Sequence, residues 1–216
     1  MGKMVNAYIV AYNSLQSVLW AISFALIVNE LLGSSYKTVN QNVGPVLRTA
    51  QVLSVLETAH AALGLVRSSV GTNLLQWVAR THVLVMVVYY IPEVQEHVAV
   101  TVMYTAWALA EIVRYPWYAC STAGVCPDWL TWLRYTAFIP LYPVGTLGEI
   151  VLVYLALPIV KERSLYSFTM PNLFNFGFDY YTFLIGALCI YPFGWWSLYS
   201  YMLKSRNRKY GQKKQE

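Results

Sequence analysis

Arg134-Tyr-Thr-Ala-Phe-Ile-Pro-Leu-Tyr142-Pro-Val-Gly145-Thr-Leu-Gly-Glu149 runs straight into Ile150-Val-Leu-Val-Tyr-Leu-Ala-Leu-Pro-Ile-Val160. The combined stretch is too apolar for a loop and long enough to cross a bilayer, which takes roughly 20 residues. It nevertheless carries an arginine, a tyrosine and a glutamate. An ionisable group inside hydrocarbon costs at least ~2.5 kcal/mol, so such groups face a bundle interior and mark a polar site.

The rest of the chain has the same character. Of 216 residues, 57% are hydrophobic and 12% charged. A soluble domain of this size carries about a quarter charged residues. The expected class is therefore an all-α polytopic membrane bundle. Six spans are expected, at about 8–32, 46–66, 74–91, 98–118, 130–157 and 176–203. The third carries Gln76, Arg80 and His82, and the sixth is opened by Asp179. No linker or repeat divides the chain, so residues 1–203 read as one transmembrane domain and 204–216 as a basic tail. The start lacks a cleavable leader pattern, and the first apolar segment reads as a retained span.

The tail holds Lys204, Arg206, Arg208, Lys209, Lys213 and Lys214. By the positive-inside rule it is cytosolic and touches anionic membrane lipid. Six spans then place the amino terminus in the cytosol as well. The segment Pro92-Glu-Val-Gln-Glu-His97 has no Lys or Arg, as suits the opposite side, whereas Lys161 and Arg163 run against the rule. Lys213 and Lys214 stand third and fourth from the carboxyl end, like the dilysine retrieval signal of the endoplasmic reticulum. Nucleic-acid binding has no support in so apolar a chain.

Cysteines and histidines exclude other classes. Cys120 and Cys126 would pair only in an oxidising compartment, and their loop is expected to be cytosolic. Cys189 reads as a packed thiol. His60, His82 and His97 form no metal-ligand cluster, so no metal and no redox cofactor is expected.

Tyr142 and Glu149 are seven residues apart, which on a helix is within about 20° of one face and about 10 Å of rise. Gly145 lies between them on that face and leaves a hollow bounded by a phenol and a carboxyl. Such a pair suits removal of a proton at one atom and delivery of a proton at its neighbour. A second reading is structural: Tyr142 hydrogen-bonds Glu149 to bury it, and Gly145 serves helix packing. Side chains on a helix lean toward its amino end, so ideal geometry turns Tyr142 away from Glu149 unless Pro140 or Pro143 alters the backbone. Glu57 and Arg80 are expected either to neutralise one another across neighbouring helices or to bind substrate.

Several short pieces together resemble one family. They are Leu56-Glu-Thr-Ala-His60, Gln76-Trp-Val-Ala-Arg80, Glu111-Ile-Val-Arg-Tyr115, Arg134-Tyr135, Leu141-Tyr-Pro-Val-Gly145, Gly148-Glu149, Met170-Pro-Asn172 and Phe178-Asp-Tyr-Tyr181. Their order and spacing resemble the very-long-chain (3R)-3-hydroxyacyl-CoA dehydratases, also called protein-tyrosine-phosphatase-like proteins. Ala110 and Pro116 depart from the pattern, where members often have Thr and Ser. The resemblance implies a six-span enzyme of the endoplasmic reticulum in the fatty-acid elongation cycle, which also supplies sphingolipid precursors. It implies dehydration of a 3-hydroxyacyl-CoA beside a condensing enzyme, a ketoacyl-CoA reductase and an enoyl-CoA reductase. Tyr142 and Glu149 match its catalytic pair. Glu57, Arg80, Arg134 and Gly145 match its supporting residues, with Arg80 or Arg134 set to hold a CoA phosphate or polarise the thioester. The phosphatase name does not carry over to activity: five residues separate Cys120 from the position that would need a phosphate-binding Arg, and that position holds Cys126. The alternatives are a non-catalytic scaffold for elongation enzymes and a transporter, although no inverted repeat is apparent.

Overall fold

The computed structural model describes residues 2–171 and 175–211. Asn172, Lys213 and Lys214, which entered the sequence reading, lie outside the described residues. Every regular element among the described residues is helical; Phe168 and Phe178 form an isolated bridge. The helices are α1 (Lys3–Gly33), α2 (Val39–Leu53), α3 (Val55–Ala62), α4 (Val70–His82), α5 (Pro92–Gln95), α6 (Val98–Ala123), α7 (Asp128–Arg134), α8 (Phe138–Arg163) and α9 (Tyr180–Gly211). Two compact units result, Met1–Leu152 and Val153–Glu216.

Three helical stretches are long and apolar enough to cross a membrane: Lys3–Gly33, Asp128–Arg163 and Tyr180–Tyr210. The expected second and third spans are helical but interrupted. A turn at Ser54 separates α2 from α3. A π-helix, Val83–Tyr89, continues α4 after His82. Such wide turns insert a residue into the helical repeat and occur often beside functional sites. The expected fifth span is also in two pieces, α7 and α8, with turns at Tyr135–Ala137. α8 then runs on through Pro140 and Pro143. The expected sixth span begins later than its apolar run. Asp179 sits just before α9 and accepts from the Thr182 backbone N–H at 3.0 Å, satisfying an end donor that the helix itself cannot. α9 also continues past Leu203, so the first basic residues of the expected tail are helical.

In the first unit α6 is the central element. α1 packs along α6 and α2, burying Ile9, Trp20 and Ile27. Polar positions of α1 share that buried face; Gln16 donates to the Ala50 carbonyl of α2 at 3.2 Å. Tyr104 of α6 donates to Asn40 Oδ1 of α2 at 2.8 Å, and Thr101 to the Tyr36 carbonyl at 3.1 Å. In water such a polar interior would be unusual; in a bilayer, helix interfaces of this kind are held by hydrogen bonds and close packing. In the second unit α9 leaves Ile190, Phe193 and Trp196 exposed, a surface suited to lipid. Cys189 is exposed too, which corrects the expectation of a packed thiol: it stands on the uncovered side of an apolar helix. All three cysteines are free.

Two glycines bring α8 against α6. A Cβ on Gly148 would stand 3.0 Å from Met103 Cβ and 3.2 Å from the Ala99 carbonyl oxygen and the Met103 nitrogen. Backbone atoms cannot yield, so the helices meet here at a distance only glycine permits. A Cβ on Gly145 would meet Trp107 and Ala106 at 3.4–3.6 Å, an ordinary contact. Gly148→Ala is therefore expected to lower stability by ~1–3 kcal/mol, the usual cost of overpacking, and Gly145→Ala by clearly less. Thermal unfolding of the detergent-purified variants checks the order; equal losses would contradict this packing.

Candidate active site

The face of α8 that meets α6 carries Gly145, Thr146, Gly148 and Glu149, all buried. Glu149 is 7% exposed. Its carboxylate Oε1 accepts a hydrogen bond from the indole Nε1 of Trp107 on α6 at 2.9 Å. Tyr142 is half-buried on the same helix, and its phenol lies within electrostatic reach of Glu149 and of Arg80. The structure thus gathers three of the expected residues, Gly145, Glu149 and Arg80, around Trp107, with Tyr142 within electrostatic reach of two of them.

Arg80 comes from α4. Its guanidinium lies 4.2 Å above the centre of the Trp107 ring and 5.6 Å from that of Trp20. The same guanidinium donates to Glu111 Oε1 at 2.5 Å. The second oxygen of Glu111 accepts from Arg114 Nε. Arg114 in turn forks onto Glu57 of α3: Nη2 to Oε1 at 2.8 Å and Nη1 to Oε2 at 3.1 Å. Tyr115 donates its hydroxyl to Glu57 Oε1. The result is a continuous chain, Arg80–Glu111–Arg114–Glu57, of two guanidiniums and two carboxylates with no net charge.

This arrangement corrects the expected pairing of Glu57 with Arg80. Each is in an ion pair, but with a residue of α6 placed between them. The reason is reach. Trp107, Glu111 and Arg114 stand at i, i+4 and i+7 on α6 and form one stripe. α3 and α4 pack on each other, and the long side chains of Glu57 and Arg80 reach across to that stripe, where Arg114 and Glu111 meet them. A polar pocket opens beside the chain, lined by Gln51, Ser54, Glu57, Asn73, Gln76, Trp77, Arg80 and Arg114.

Arg134 stands apart. It ends α7, with its guanidinium 5.9 Å from the Trp117 ring centre and 5.8 Å from that of Tyr118. Its Nε is buried and makes no hydrogen bond. It forms no ion pair with Glu57 or with any carboxylate among the described residues. Trp107 is the site residue the sequence reading did not single out; Glu111 and Arg114 entered it only within a family-like piece, with no role given to either. The i, i+4, i+7 spacing of the three was the available signal. It was masked because tryptophan in an apolar helix reads as packing.

A family model described as "Protein tyrosine phosphatase-like protein, PTPLA" matches residues 51–212, a region that holds the whole ion chain and the Tyr142–Glu149 face. The chain belongs to the protein-tyrosine-phosphatase-like family of very-long-chain (3R)-3-hydroxyacyl-CoA dehydratases. The family's "very-long-chain (3R)-3-hydroxyacyl-CoA dehydratase PASTICCINO 2" of Arabidopsis thaliana is 38% identical over 212 residues, covering 98% of this chain and 96% of the relative. "Very-long-chain (3R)-3-hydroxyacyl-CoA dehydratase 2" of Homo sapiens is 36% identical over 206 residues, covering 95% of this chain and 81% of the relative. The family's dehydratase 1 of Canis lupus familiaris is 30% identical, covering 96% and 84%. No solved structure gives a significant match.

The ion chain makes a prediction of its own. Arg114→Met leaves Glu57 and Glu111 without their shared cation. Breaking a buried pair from one side costs ~3–5 kcal/mol, and removing both partners costs less. Glu57→Gln combined with Arg114→Met is expected to recover part of the abundance that Arg114→Met loses. Glu57→Gln with Glu111→Gln, which takes both carboxylates and leaves two guanidiniums unpaired, is expected to show no such recovery. Fluorescence-detected size exclusion of tagged variants measures both, and recovery in the second combination alone would contradict the observed pairing.

Proposed function

We propose that this chain removes water from very-long-chain (3R)-3-hydroxyacyl-CoA to give the trans-2-enoyl-CoA, in the elongation cycle of fatty acids. The observation that carries the reading is a carboxylate, Glu149, buried in an apolar helix with the Tyr142 phenol beside it, in a chain whose relatives are named for this dehydration. A buried ionisable group within a span marks function by default.

The chemistry follows from what the two groups can do. Glu149 takes the proton on the carbon next to the thioester carbonyl. The electron pair forms the carbon–carbon double bond as the carbon–oxygen bond to the β-hydroxyl breaks. Tyr142 supplies the proton that turns the departing hydroxyl into water. Glu149 then holds one proton more and Tyr142 one fewer, and transfer from the first to the second restores the starting state. The reaction is redox-neutral, and these residues suffice without a cofactor. The opposite division of roles, with Tyr142 as base, balances equally and is separated by the variants below.

The cations divide their work. Arg80 is held by Glu111 and lies within reach of Tyr142, which suits it to polarising the thioester oxygen or steadying charge as it develops. Arg134 pairs with no carboxylate among the described residues, which suits it to a CoA phosphate. Six crossings, both termini in the cytosol and residence in the endoplasmic reticulum complete the proposal. They rest on the six apolar segments of the sequence and on the basic tail. In that orientation the α6–α7 connection, with Arg134, faces the cytosol, where water-borne CoA would present its phosphates. The condensing enzyme, the ketoacyl-CoA reductase and the enoyl-CoA reductase of the cycle are the proposed neighbours.

Tyr142→Phe and Glu149→Gln each keep size and nearly all apolar surface. Each is expected to cut turnover by roughly 10²–10⁴-fold at unchanged abundance, the usual contribution of general acid–base catalysis. The double variant is expected to be little worse than the worse single, because groups acting as a unit do not add. Steady-state rates on purified protein decide. Near-normal turnover in both singles would sink the assignment; loss in Glu149→Gln alone would leave Tyr142 a positioning role.

A further inference from the structure

Glu149 is buried among apolar neighbours, and a carboxylate there needs its direction fixed as well as its charge tolerated. The fixed donor is Trp107 Nε1, 2.9 Å from Oε1. The indole is itself held from two sides. Arg80 covers its face at 4.2 Å from the ring centre. On the α8 side Gly145 presents no side chain, and even a methyl there would touch Cδ1 at 3.4 Å and Nε1 at 3.6 Å. Trp107 is 5% exposed. Of all aromatic rings, indole offers the strongest face to a cation. A guanidinium on that face draws electron density from the ring and makes its N–H a better donor.

We propose that Trp107 is a positioning residue of the dehydration, holding the Glu149 carboxylate through its indole N–H in the orientation from which it exchanges the substrate proton. The inference rests on the reading of Glu149 as the group that exchanges that proton. An N–H on one carboxylate oxygen suppresses rotation about the terminal bond of the side chain. The direction of proton acceptance is then set before substrate arrives, and misplacement of such a group by even an ångström is expensive in rate. The same geometry gives Arg80 a purpose: it clamps the indole face while Glu111 clamps Arg80. The ion chain thus ends on the ring that holds the base.

The test uses the full-length, detergent-purified protein and a 3-hydroxyacyl-CoA. Trp107→Phe removes the N–H but also some bulk. A second variant carries 3-benzothienylalanine at position 107, which keeps the two-ring shape and replaces the N–H by sulfur. Both are expected to lose roughly 10- to 100-fold in kcat, the scale of a hydrogen bond to a charged group, with KM changed little. Trp107→Phe placed on Glu149→Gln is expected to add less than about twofold, because a residue acting only through Glu149 has nothing further to remove. A general packing role would cost the same factor in both backgrounds and would spare the benzothienyl variant. Either of those results overturns the inference. The two proposals fail separately: wild-type turnover in Glu149→Gln removes the base itself, whereas a silent Trp107 with an inactive Glu149→Gln removes only the positioning role.

Discussion

Charge inside an apolar bundle is tolerated only when it is neutralised on the spot, and that constraint organises the first unit of this protein. Glu57, Arg80, Glu111 and Arg114 come from three helices, and none is affordable alone in hydrocarbon. Their chain of ion pairs fixes how α3, α4 and α6 sit against each other. Because Glu111 accepts from two guanidiniums at once, displacement of any member is felt by the others. The apolar contacts add area to this arrangement but do not choose its register.

The site inherits its geometry from that chain. Arg80 is placed by Glu111, Trp107 lies under Arg80, and Glu149 accepts from Trp107. Close approach of α8 to α6 completes it, and Gly148 is where the backbones come nearest. Glu149 is thereby buried beside a donor and within reach of a phenol, while the surrounding residues of α8 remain apolar. Such surroundings exclude water, and electrostatic interactions acting at a site are stronger there than in solvent.

Much of this was legible before any coordinates. Glu149 and Tyr142 stood out because an ionisable residue in a run such as Leu147–Val160 has no bland explanation. Helical class followed from the apolar runs and from the helical spacing of the polar residues within them, but the breaks at Ser54 and at the Val83–Tyr89 π-helix did not. The partner of Glu57 was not legible. Helical spacing says which residues share a face, but not which neighbouring helix presents its charge first, and Arg114 intercepted Glu57 before Arg80 could. Trp107 stayed hidden for a related reason: an indole in an apolar helix is ordinary, and only its contact with Glu149 gives it meaning. The sixth span's opening by Asp179 was legible, and its cap on the Thr182 N–H starts the helix at Tyr180, four residues after the apolar run begins at Phe176. Cys189 was misjudged because an apolar run cannot tell a face packed on protein from one left for lipid.

The account depends most on the claim that this bundle performs the dehydration itself. The direct measurement is mass spectrometry of the acyl-CoA pool after the purified protein has been given a (3R)-3-hydroxyacyl-CoA deuterated at the carbon next to the thioester. The account predicts an enoyl-CoA lighter than its substrate by the elements of HDO, the hydroxyl and one deuteron, with no product from the (3S) isomer. Recovery of the substrate unchanged from folded, monodisperse protein would contradict it.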